Sequence, residues 1–185
     1  METRRKQWLA AGSAAILGLL ICSYSLAASK AEVDSGVKQT LDQFYSLNAE
    51  NKGLVDQAAG VLVFPRVTKV GAVVGGEHGE GALDVKGKTE GYYNITGGSI
   101  GATLGAGRRS LIVMFTDEDA LNRFKASKGW QIGIDANVAL ISVGAGGQYD
   151  TNTLRKPVVG FVFDEKGLLG DVSLEGGKIT RANPK

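Results

Sequence analysis

Of the chain's 27 glycines, 24 fall between Gly53 and Gly177. No other feature constrains the fold as much. Glycine reaches backbone conformations closed to side chains and lets another backbone or a ligand come close. Within strands it marks bulges, sharp bends or close contacts. With the apolar patterning around it, this distribution predicts an α+β fold. The expected form is a predominantly antiparallel, glycine-rich curved β-sheet or partial barrel, with an N-terminal helix and one central helix. The same stretch holds no cysteine and a single histidine, His78, which points to binding more than to reaction.

Residues 1–27 read as an export signal. Arg4, Arg5 and Lys6 form a basic start, Trp8 to Leu26 is almost wholly apolar or small, and Ser25 and Ala27 are the small residues of a signal-peptidase site. The expected destination is the periplasm or the exterior, with residues 28–185 as a single domain. Two alternatives are open. The apolar run, about 19 residues, is long enough for an uncleaved membrane anchor. Cys22 offers a lipid-modified terminus, against which bulky Ile21 stands where a lipobox wants a small residue.

Cleavage after Ala27 leaves no cysteine and hence no disulfide. It also removes Arg4, Arg5, Lys6 and Glu2, so the 21 basic and 19 acidic residues fall to 18 of each. The formal +2 belongs to the leader. A neutral domain lacks the basic field of a nucleic-acid binder. No nucleic-acid partner is expected, and any attraction to anionic lipid must come from a local patch.

Val33, Val37, Leu41 and Phe44 recur at helical spacing and predict a helix over residues 31–48 with one apolar stripe. Lys38 lies among its polar residues. The stripe suits packing on the domain or, alternatively, contact with a membrane surface. A short helix is expected over Gly53–Ala59. Strands are expected at Val61–Phe64, closed by Pro65, at Val70–Gly75 and at Gly79–Val85. Lys86–Lys88 turns the chain into a strand at Thr89–Thr96. Leu111–Phe115 reads as a strand buried on both faces. Thr116 is the expected cap of a helix through Leu121 and Phe124 that Gly129 ends. Strand-like runs follow at Gln131–Val143, Val158–Phe163 and Val172–Leu174, with a turn at Asp164–Gly167.

The residues offer little for catalysis. His78-Gly79-Glu80 matches the H-x-E of zinc deaminases, but those sites need paired cysteines. No G-x-S-x-G elbow is present, so hydrolysis through His78 is a minor alternative. Asp150 to Thr153 lacks the glycine and distal glutamate of a calcium loop, and an Asx turn explains it. Gly97 to Gly107 fits neither a phosphate loop nor a dinucleotide fingerprint; a bent strand is the expectation. No metal, cofactor or catalytic residue is expected. What the sequence does offer is a set of cations at expected loop ends and strand starts: Arg66, Lys69, Lys86, Lys88, Arg108 and Arg109. Such groups hold phosphates, most strongly where arginine's fork can engage two oxygens.

Eight ordered segments carry a resemblance. They are Gly60 to Arg66, Gly75 to Gly81, Gly91 to Asn94, Gly129-Trp130, Asp135-Ala136, Gly144 to Gly147, Asp150 to Thr153 and Lys156 to Phe163. From about Val33 to Ile179 the chain resembles the SYLF-domain family. The resemblance implies a non-catalytic, lipid-binding module. Its eukaryotic members bind phosphoinositide membranes, some bind actin, and its bacterial members are exported. It implies membrane contact through an N-terminal amphipathic segment, here Val33, Val37, Lys38, Leu41 and Phe44. It also implies headgroup contact through the basic set above. The partners it suggests are anionic phospholipids or a membrane surface, or alternatively a protein of the cell envelope.

Overall fold

The computed structural model describes residues 28–71, 74–100, 105–143, 149–167 and 176–184. The expected export signal with Cys22, Gly101 to Leu104, Gly144 to Gly147 and the strand expected at Val172–Leu174 lie outside these residues. Eight strands form one curled half-barrel sheet in the order β5-β8-β3-β2-β1-β4-β7-β6. They are β1 (Gly60–Gly71), β2 (Val74–Val85), β3 (Lys88–Ile100), β4 (Gly105–Phe115), β5 (Trp130–Gln131), β6 (Ala139–Ser142), β7 (Val158–Gly167) and β8 (Lys178–Ala182). Every neighbouring pair is antiparallel except β6 with β7.

Period-two alternation sends successive side chains to opposite faces, and each face acquires its own core. On one face Leu62, Phe64, Val113 and Phe115 meet α3 (Glu118–Ala126), whose Phe124 stands edge-on to Trp130 at 5.5 Å. On the other face Val61, Val63, Ile112 and Met114 lie under α1 (Lys30–Leu47) and α2 (Asn51–Gln57). The apolar stripe read from the sequence is the face α1 lays on the sheet. Val33, Val37 and Phe44 are buried, and the Phe44 ring sits 5.0 Å from Phe161 and 5.5 Å from Phe163.

Five expectations need correction. The run expected as strand over Gln131–Val143 is interrupted: β5 ends at Gln131, the chain turns at residues 133–135 with Gly133 at a φ of 88° and Asp135 accepting the Gln131 N–H, and strand resumes only at β6. Pro65 does not end a strand: β1 continues to Gly71, and the register with β2 and β4 shifts around Pro65. A proline in a sheet interior removes one ladder donor, and a bulge accommodates that loss. The strand expected at Val70–Gly75 is therefore the end of β1 and the start of β2. Asp117, not Thr116, caps α3, accepting the Ala120 N–H at 2.7 Å, while the Thr116 hydroxyl donates to the Lys156 carbonyl. The turn expected at Asp164–Gly167 lies within β7, which stays paired with β4 past an irregularity.

The β2–β3 hairpin turns where expected. Lys86 and Gly87 both take positive φ, 54° and 78°, the pairing that matches a two-residue turn to the twist of its strands. A short α4 (Thr151–Leu154) follows Asp150, whose carboxylate accepts the Asn152 and Thr153 N–H groups as an Asx cap.

Candidate groove beneath the N-terminal helix

The bulge at Pro65 organises the site. Up to Phe64, even-numbered residues of β1 face α3; beyond the bulge the parity reverses. Val67 joins the α3-side core, while Arg66 and Thr68 turn toward α1. Gly81 sits opposite the bulge. A Cβ there would stand 2.2 Å from the Val63 carbonyl oxygen and 2.6 Å from the Phe64 ring, so only glycine lets the bulged backbone approach. The Ser110 hydroxyl donates to the Pro65 carbonyl at 3.0 Å. Above it, α1 comes down on Pro65 at Gly36, where a Cβ would meet the proline ring at 3.0 Å.

Past that contact the helix and the sheet part, leaving a groove of about 650 Å³. Its sheet wall carries two register pairs, Arg66 with Glu80 and Thr68 with His78, and Arg108 stands across β4 from Thr68. Its roof is the polar side of α1, with Glu32, Gln39 and Gln43. Both carboxylates are engaged by backbone. Glu80 accepts the Ala28 N–H at 2.9 Å, and Glu32 accepts the Ser29 N–H at 2.7 Å while the Ser29 hydroxyl accepts from Glu32 N. That capping box holds the Glu32 carboxyl below the ordinary glutamate range. Arg66 and Arg108 are exposed and form no ion pair among the described residues.

The cations expected to act together fall into three places. Arg66 and Arg108 share the groove. Lys69, three positions from Arg66, and Arg109, one from Arg108, lie on the opposite face by strand alternation. There Arg109, 1 % exposed, donates from Nη2 to Glu77 at 2.7 Å. Its Nε and Nη1 are buried without a hydrogen-bond partner. Lys69 is buried in register with Glu77. Lys86 and Lys88 occupy the β2–β3 hairpin tip, six residues from Glu80 and so about 20 Å away at ~3.3 Å per residue. Of the expected membrane-contact set, Val33, Val37 and Phe44 are buried against the sheet, Leu41 is half-buried and Lys38 is exposed.

Nothing in the sequence marks Thr68, Gln39 and Gln43 as groove residues, and His78 enters it only as a minor hydrolytic alternative. The signal was present in part: His78 and Glu80 alternate on one strand face. Which side α1 covers was not readable. His78 is exposed, and its imidazole makes no hydrogen bond among the described residues. Among the described residues no cluster of His, Cys, Asp or Glu could hold a metal ion, and no helix is long and apolar enough to cross a membrane.

A family model described as "Ysc84: Las17-binding protein actin regulator" matches residues 96–184. This is a match to the SYLF-domain family that the sequence resembles. The SYLF match runs from the end of β3 to the C-terminal segment, so it contains Arg108 and Arg109. The segments Gly60 to Arg66 and Gly75 to Gly81, which build the bulge and the sheet wall of the groove, precede it. No curated protein matches the chain.

Proposed function

We propose that this SYLF protein is an exported, non-catalytic phospholipid-binding protein that takes an anionic headgroup at Arg66 and Arg108. One observation carries the reading: two exposed guanidinium groups, without an ion pair among the described residues, share one sheet face at a groove of about 650 Å³, beside Thr68 and His78. That volume lies within the range of small-ligand sites. Guanidinium forks suit phosphate oxygens, and the threonine hydroxyl and imidazole can add further hydrogen bonds. In this reading the charged and hydroxyl groups of the lining meet the headgroup, and the acyl chains stay in the bilayer. The seat of α1 narrows the mechanism further. With its apolar stripe engaged on the sheet, the helix offers a bilayer its polar side, and electrostatics supplies the attraction.

Co-sedimentation of residues 28–185 with neutral and anionic liposomes, at low and physiological salt, tests this. Binding to anionic vesicles alone, weakened by salt as screening predicts, is the expected result. The double charge reversal R66E/R108E abolishes it, and K86E/K88E, at the hairpin tip, leaves most of it. Absence of binding at both salt concentrations overturns the headgroup reading. The second reading is then a protein partner in the cell envelope, favoured by a family description that names a protein-binding actin regulator. The exposed apolar side chains of Ile134 and Val70, 74 % and 54 % accessible, are where such a partner is sought first.

A further inference from the structure

Glu80 is positioned to do more than accept a peptide N–H. We infer that Glu80 is the receptor for the protein's own mature amino terminus: removal of the leader turns the Ala28 nitrogen into an α-ammonium that pairs with this carboxylate and fixes α1 over the groove. The inference rests on the export reading above for the position of cleavage and on the structure for everything after it.

Three observations converge. The Ala28 nitrogen lies 2.9 Å from Glu80 Oε2, a contact spanning 52 residues of chain. It joins the first residue after the Ser25–Ala27 cleavage motif to the middle of β2. The α1 capping box begins at the next residue, with Ser29 and Glu32 satisfying each other, so the segment between terminus and helix has no slack. Finally, Asn94 is the register partner of Glu80 on β3, and its Oδ1 is buried without a hydrogen-bond partner among the described residues. A peptide nitrogen has a single N–H, which Glu80 takes. An ammonium has three, and the acceptor left over beside Glu80 on the same sheet face is what the additional donors require. A second cavity of about 260 Å³, bordered by Glu80, Asn94, Tyr92 and Arg181, gives the ammonium and its hydration room.

Charge agrees. The titratable and charged groups around this point are Arg66 across β1, His78 two residues along β2, Glu32 on α1, Arg108 on β4 and Arg181 on β8, with the Tyr92 hydroxyl hydrogen-bonded to Asp34. Glu80 forms no ion pair with Arg66 or Arg181 among the described residues, so its negative charge is available to the terminus. Docking would tie the start of α1 to β2 and set the roof of the headgroup groove only after processing.

The full chain with its leader is expressed in an exporting bacterium, and the product is purified and weighed intact. Reactivity of its α-amine toward an amine-selective reagent is then followed against pH, for the wild type and for E80Q, with H78Q alongside to separate the imidazole's titration. The expected product begins at Ala28. Its α-amine titrates above the ordinary range of about 7.7–8.0, so labelling at neutral pH is about tenfold slower than for a free terminus, one pKa unit's worth. E80Q restores the ordinary rate, and so does unfolding the wild type in urea, a control that needs no variant to fold. A product that begins at Ala28 but labels at the ordinary rate when folded overturns the docking and leaves export intact. A product beginning elsewhere, or lipidated at Cys22, overturns the processing step on which the inference stands.

Discussion

The two halves of β1 differ more than many pairs of separate strands. From Gly60 to Phe64 every residue is buried, and neighbours on both faces are apolar. From Arg66 to Gly71 exposed and buried residues mix, and the facing strand β2 contributes Gly75, Gly76 and Gly79. One bulge separates them. The first half holds the protein together, and the second half, freed from the packing of α1, carries the polar groups that can meet a ligand. A long strand can thus be divided between stability and binding by one proline and the glycine opposite it.

Substitutions on either side of the bulge test that division. Largest is Phe124→Ala, which empties the aromatic cluster with Phe115, Tyr93 and Trp130. A loss of about 4 kcal/mol is expected, read from the denaturation midpoint. Next is Glu77→Ala, which strands the buried Arg109 guanidinium and costs about 3 kcal/mol. Adding Arg109→Met to it recovers much of the loss, and failure to do so would show that the pair acts through more than charge. Gly81→Ala drives a methyl group into the bulge and costs about 2 kcal/mol. A neutral outcome there would break the claim that the bulge needs glycine.

Arg66→Ala and Arg108→Ala, both exposed, are expected to change stability by less than about 0.5 kcal/mol while weakening sedimentation with anionic vesicles. Large destabilisation by either would move these arginines from the binding half to the structural half. The smallest effect concerns acid. Because the folded Glu32 carboxyl is held below its unfolded value, its contribution to the α1 cap is complete above the unfolded value. It fades as pH falls through the lowered folded value. A wild-type minus E32Q difference in melting temperature that persists down to strongly acid pH would contradict the capping box.

Much of this architecture was legible in the linear pattern. The α1 stripe, the buried run Leu111–Phe115, the Lys86-Gly87 turn and the α+β class depend on spacing and local backbone preference, and these operate within a few residues. Legibility failed where a local signal had two outcomes. Pro65 reads as a stop, yet inside a sheet with partners on both sides it becomes a bulge, because the flanking ladder continues to bond. Thr116 and Asp117 are both good caps, and the Lys156 carbonyl, distant in sequence, draws the threonine away.

The basic set shows the boundary most clearly. By itself the sequence determined which residues carry charge, that the formal +2 lies within residues 1–27, and that strands place adjacent side chains on opposite faces. Only the tertiary structure decided which face α1 covers and where the bulge reverses the alternation. It also set how far the hairpin tip lies from the groove. Arg108 and Arg109 are neighbours in the chain, yet one lines an open groove and the other is sealed against Glu77. The charge of a residue is local, whereas its burial depends on which distant elements close over it.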